Sequence, residues 1–132
     1  MQWLIDIIKE LIHGQLGYFY RGDPAVHDFD LLDLTIDGAW HDLDLSAIVP
    51  EGAKCVNLIT NLRNQFVGVQ IRIRRKGQVN IINSLTVWSQ TAIVRLGGLF
   101  PVNLNADRVI EYNITPGGWT LIKISVAGWW LR

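Results

Sequence analysis

Cysteine is nearly absent: Cys55 stands alone, which excludes an intrachain disulfide and any cysteine-built zinc site. Its neighbours Ala53, Val56 and Leu58 make it a small buried or half-buried side chain. Charge is scarce too. Only 18% of the 132 residues are charged, against roughly a quarter in an average soluble domain, and a chain so sparsely charged suits a subunit that hides surface in an oligomer. No apolar run approaches the roughly 20 residues that span a bilayer, so no membrane partner is expected. The N-terminal apolar stretch lacks a basic leader and is interrupted by Asp6, Lys9 and Glu10, so no signal peptide is expected either.

Catalytic patterns are equally scarce. No serine sits in a nucleophile-elbow glycine pattern, and the three histidines (His13, His27 and His41) do not form a hydrolase ligand set. The reading is therefore of a non-enzyme with no cofactor.

What the chain does have is rhythm. Residues 2–13 follow a helical period, with Leu4, Ile8 and Leu11 on one face and Met1 extending it backwards. Ile5, Ile7 and Ile12 widen that stripe, and Gly14 offers a stop. Three turns are marginal alone in water, so this arm either docks on its own domain or serves in oligomerisation or anchoring. From residue 16 the period becomes two. Val67, Val69, Ile71 and Ile73 alternate with Gln70, Arg72 and Arg74, and Ile122, Ile124 and Val126 alternate with Lys123 and Ser125. Further strands are expected over 16–20, 31–36, 40–43, 54–62, 79–83, 91–96, 100–104 and 108–114. Turns are expected at Asp37-Gly38, Glu51-Gly52, Lys76-Gly77, Gly97-Gly98 and Pro116-Gly117-Gly118. The pattern predicts an all-β antiparallel sandwich, of jelly-roll type, over residues 15–132, preceded by one short α-helix over residues 1–14.

Net charge is zero but divided. Residues 1–53 carry ten acids against Lys9 and Arg21, whereas residues 54–132 carry Asp107 and Glu111 against ten bases. Both halves look folded, and their attraction acts either within one sandwich or between subunits. Arg72 and Arg74 share an outward face that could meet phosphate or an acidic neighbour. Without interleaved aromatics, no nucleic-acid partner is expected, and the acidic segment is the favoured partner. Asp28 and Asp30, two apart, are weak candidates for a calcium ion, although solvated acids are the simpler account and no metal site is expected. Arg21-Gly22-Asp23, the integrin-recognition triplet, reads as an ordinary turn before Pro24. Among six tryptophans, Trp40, Trp129 and Trp130 are candidates for interface or ligand contact. Because Trp129 and Trp130 face opposite ways, one of them should leave the core.

Gly22-Asp23-Pro24-Ala25, the run Asp37 to Ser46, the run Val49 to Lys54, Arg108 to Tyr112 and Gly128-Trp129 together span most of residues 22–130. They mark turns and strand starts. In this they resemble small phage-encoded jelly-roll virion domains, such as capsid decoration proteins and the heads of tail fibres or spikes. The resemblance implies a homotrimer on the virion surface that touches other virion proteins. It carries over no catalytic residues and does not include the N-terminal helix. A carbohydrate- or receptor-binding module at a fibre tip, holding a host surface glycan, is the alternative.

Overall fold

The computed structural model describes residues 1–15 and 17–131, with residues 9–15 and 83 described by backbone alone. Helix α1 spans Gln2–Gln15. Among the described residues nine strands follow: β1 (Tyr18–Tyr20), β2 (Phe29–Asp30), β3 (Trp40–Asp44), β4 (Cys55–Asn64), β5 (Gln70–Arg75), β6 (Leu85–Trp88), β7 (Leu96–Asn103), β8 (Val109–Ile114) and β9 (Trp119–Trp130).

The strands form two sheets. One has the order β1-β9-β4-β7, with β2 also pairing β9, and the other has the order β3-β8-β5-β6. All pairings are antiparallel. With β1 and β2 taken as two pieces of one broken strand, β1/β2 pairs β9, β3 pairs β8, β4 pairs β7 and β5 pairs β6. These are nested pairs, the order produced by rolling one long hairpin into two sheets, and they make the sandwich a jelly roll.

Alternation explains why these segments are strands. In β4, Val56, Leu58, Thr60, Leu62 and Asn64 are buried while the residues between them are not. Ile71 and Ile73 of β5, Ile110, Tyr112 and Ile114 of β8, and Ile122, Ile124 and Val126 of β9 face them across the core. Burying each such aliphatic side chain contributes about 1.5–3 kcal/mol relative to leaving it exposed. A register shift between Asn57 and Leu58 skips Ala127 on β9. This bulge carries the inward face from even to odd positions, so Trp129 pairs with Val56 and packs on the core, whereas Trp130 turns outward. Pro101 lies in the outer strand β7, where its missing N–H must face away from β4.

Several expected elements are different. The strand expected over 31–36 is a 3-10 turn, Leu31–Asp33, because the Asp30 and Asp33 side chains cap each other's backbone in a closed box. The strand expected over 79–83 is another 3-10 turn, Ile81–Asn83, in an exposed crossing outside the core. Residues 91–95 form no strand, and Gly97-Gly98 is no turn: β7 runs straight through both, with the Phe100 ring folded over Gly98. Val67 is 63% exposed, not part of the inward row, because Gly68 adopts φ +86° and pairing starts only at Gln70. Strand β6 was not expected. Helix α1 continues past Gly14 to Gln15, and Leu16, the first residue of the strand expected over 16–20, lies outside the described residues.

Candidate functional site

Helix α1 buries none of its described side chains. Trp3 is 66% exposed, Leu4 40%, Ile5 41%, Ile7 46% and Ile8 46%. The Leu11 side chain lies outside the described residues. At 100° per residue, Trp3, Ile7, Leu4, Ile8, Met1 and Ile5 occupy one continuous arc, and Gln2, Asp6, Lys9 and Glu10 occupy the other. The arm is thus amphipathic, and its described side chains, Met1 to Ile8, are all exposed.

The outer face of the first sheet is a second unlike surface. Reading across strands, Leu99 of β7 pairs with Ile59 of β4, Pro101 with Asn57, and Asn103 with Cys55. Cys55 in turn pairs with Trp130 of β9, which pairs with Tyr18 of β1. Among the described residues no Asp, Glu, Lys, Arg or His stands in this cross-strand run, and burial pushes the Cys55 thiol up from the ordinary value. The Tyr18 and Trp130 rings lie 4.6 Å apart between centroids. They close over Gly128, whose missing Cβ would collide with the Phe19 carbonyl and the Tyr18 phenol. Leu99 at 60% and Tyr20 at 71% exposure remain open to solvent. Tyr18, Tyr20, Ile59 and Leu99 were not singled out from the sequence, where only the uncharged alternation along 55–61 hints at them.

The outer face of the second sheet is polar. Asp42, Glu111 and Arg74 stand in one cross-strand row, and Trp40, Asn113, Arg72 and Thr86 in the next. Arg74 donates from Nε to Glu111 Oε1 at 3.2 Å and lays its guanidinium 3.8 Å from the Trp40 ring centroid. The structure therefore brings Trp40, Arg72 and Arg74 together, and separates them from Trp129 and Trp130. Arg72 Nε is buried without a partner among the described residues. Arg74 was expected to meet the acidic segment, but its nearest carboxylate, Glu111, comes from the basic half. Only Lys76–Asp42, at 2.5 Å, joins the two halves among the described ion pairs.

Asp28 and Asp30 do not converge. The Asp28 carboxylate takes Arg21 Nη1 and Nη2 and the Val126 N–H, while Asp30 accepts from Leu32 N–H. No cluster of three metal-ligating side chains occurs among the described residues. Arg21, the first residue of the Arg-Gly-Asp triplet, is held in that ion pair. His27 Nδ1 lies 3.0 Å from Ser125 Oγ, a contact across 98 positions that no local pattern reveals. Ser125 is only 7% exposed, and no carboxylate bonds His27 among the described residues, so the pair fastens the 21–28 strap to β9 without the third group of a nucleophilic triad.

No protein-family model matches the chain, and no curated protein is significantly similar to it.

Proposed function

We propose that this chain is a non-enzymatic phage virion structural protein, a jelly-roll subunit of a symmetric homotrimer such as a capsid decoration protein or a tail-fibre or spike component. One observation carries the assembly role: over its described side chains, Met1 to Ile8, α1 presents a broad apolar face that its own sandwich leaves uncovered. In heptad terms Met1 and Ile8 take the a positions and Leu4 and Leu11 the d positions. That seam alone would serve two helices. Ile5, Ile7 and Ile12 at the flanking positions extend it, and three helices bury such a width better than two. The polar face argues against lipid as the occupant, since it pairs Asp6 and Glu10 with a single Lys9, where membrane-surface helices are rich in basic residues. The uncharged part of the first sheet's outer face, from Leu99 and Ile59 to Trp130 and Tyr18, adds a second surface for neighbouring subunits. The phage setting rests on the turn and strand-start residues that resemble virion jelly rolls.

Light scattering at micromolar concentration tests the assembly. Three copies of the 15.0 kDa chain are expected, and Ile8→Glu should give a monomer with an unchanged β-type circular dichroism spectrum. A monomeric wild type, or a wild type that floats with phosphatidylcholine vesicles as single chains, overturns the reading. Labelling of native particles by electron microscopy tests the location.

A second reading has its own observation. Gln70 Oε1 and Arg72 Nε are buried without partners among the described residues, on a polar sheet face that carries Trp40 and the half-exposed Trp88. Such a face suits a glycan at a fibre tip. A glycan array that responds to wild type and is silent for Trp40→Ala and Trp88→Ala would favour it.

A further inference from the structure

At one end of the sandwich, β4 finishes, β7 and β9 begin, and residues 89–95 cross over a cavity of about 110 Å³. Its apolar lining includes Leu62, Val94 and Trp119, and its polar lining includes Thr91, Arg63 and Arg95. The walls are fixed. Asn64 is 1% exposed, with its side-chain amide donating to the Gly117 carbonyl at 2.7 Å and accepting from Phe66 N–H at 2.8 Å. Its carbonyl accepts from Ile93 N–H at 2.8 Å. Ile93 is a β-branched residue at φ +65°, a conformation that persists only where surrounding contacts over-determine it. Ser89 anchors the other end of the crossing, donating from Oγ to the Phe66 carbonyl at 2.7 Å. The Trp119 indole N–H is held by the Thr115 carbonyl at 2.8 Å.

The charges are the unexplained part. Arg63 donates from Nε to Thr120 Oγ1 at 2.9 Å, which leaves its two terminal amino groups without acceptors among the described residues. Arg95 has no side-chain partner among the described residues, and no acid lines the cavity. Elsewhere Arg21, Arg74 and Lys76 have a carboxylate, and Arg75 and Arg108 donate to backbone carbonyls instead. Two arginines without a carboxylate among the described residues line one small space, and their positive charge favours an anion there. A planar carboxylate matches the forked donors of arginine. The leucine, valine and indole surfaces favour a carbon skeleton behind that carboxylate over a fully hydrated phosphate.

We propose that this cavity binds a carboxylate-bearing small molecule or sugar acid, with Arg63 and Arg95 holding the carboxylate and Leu62, Val94 and Trp119 packing its carbon body. The proposal stands independently of trimer formation. The test is a backbone-amide NMR titration of the intact chain, with tryptophan fluorescence alongside. The probes are propionate, glucuronate, neutral propionamide and inorganic phosphate. Saturable shifts at Thr91 and Arg95 with propionate indicate a free small acid. Shifts with glucuronate alone indicate the acidic residue of a glycan. Either supports the site, provided Arg95→Gln, an exposed change that spares the fold, weakens binding at least tenfold. Arg63→Gln should do the same. Equal response to propionamide, equal affinity for phosphate, no saturation by either acid, or unchanged binding in Arg95→Gln overturns the proposal.

Discussion

Single residues hold distant segments of this molecule together. Gly128 leaves room for the Phe19 carbonyl and the Tyr18 ring, so Gly128→Ala should push β1 off β9 and destabilise the fold by about 2 kcal/mol or more, measured by urea denaturation. Asp28 satisfies both Arg21 and the Val126 amide. Asp28→Ala strands both donors in a half-buried place and should cost about 2–4 kcal/mol, whereas Lys76→Ala, which removes an exposed pair, should cost at most about 1 kcal/mol. Acid acts on a different group. The Ala39 N–H, and after it His41, lower the Asp37 carboxyl below its ordinary 3.8. A depressed carboxyl stabilises the fold above its unfolded value and loses that contribution as pH falls through the folded one. Loosening of the 37–41 turn should therefore begin only below about pH 4, readable from the Ala39 amide shift. Apart from Asp37, whose partners lie two and four residues on, these contacts were not legible locally. The sequence offered Asp28 as a partner for Asp30, two residues on, while its real partners lie seven and 98 residues away.

At the scale of elements, legibility followed burial. Strands β4, β5, β8 and β9 each set one face in the core, and their alternation could be read directly. Helix α1 could be read because its apolar and polar arcs are cleanly divided. Elements at the margin could not. Leu31–Asp33 has strand-like residues, but two reciprocal carboxylate caps turn it into a 3-10 turn. Removing the cap with Asp30→Ala should cost about 1 kcal/mol and expose Leu32 N–H to hydrogen exchange. Residues 97 and 98 looked like a turn because glycine pairs usually are. Here Phe100 uses the vacancy above Gly98, and only the three-dimensional path of β7 shows it. The N-terminal arm was foreseen as a helix, with docking on its own domain, self-association and anchoring all open, and its described isoleucines Ile5, Ile7 and Ile8 are exposed.

For the whole molecule, the nested pairing delays folding. Tyr18–Tyr20 can pair only after Gly128–Trp130 has arrived, and the central strand β9 is the last made. Loop closure must precede most of the contacts that reward it, so refolding should take milliseconds to seconds by stopped-flow tryptophan fluorescence, and a microsecond phase carrying the full amplitude would contradict the topology. The margins of the sheets matter in a different way. Pro101 leaves a gap in the donor ladder along the free border of β7, so a foreign strand seeking to extend that sheet meets a position that cannot bind it. Growth by strand addition is discouraged there. Copies of the chain crowded together in concentrated solution are thus kept from zipping into fibres along that border.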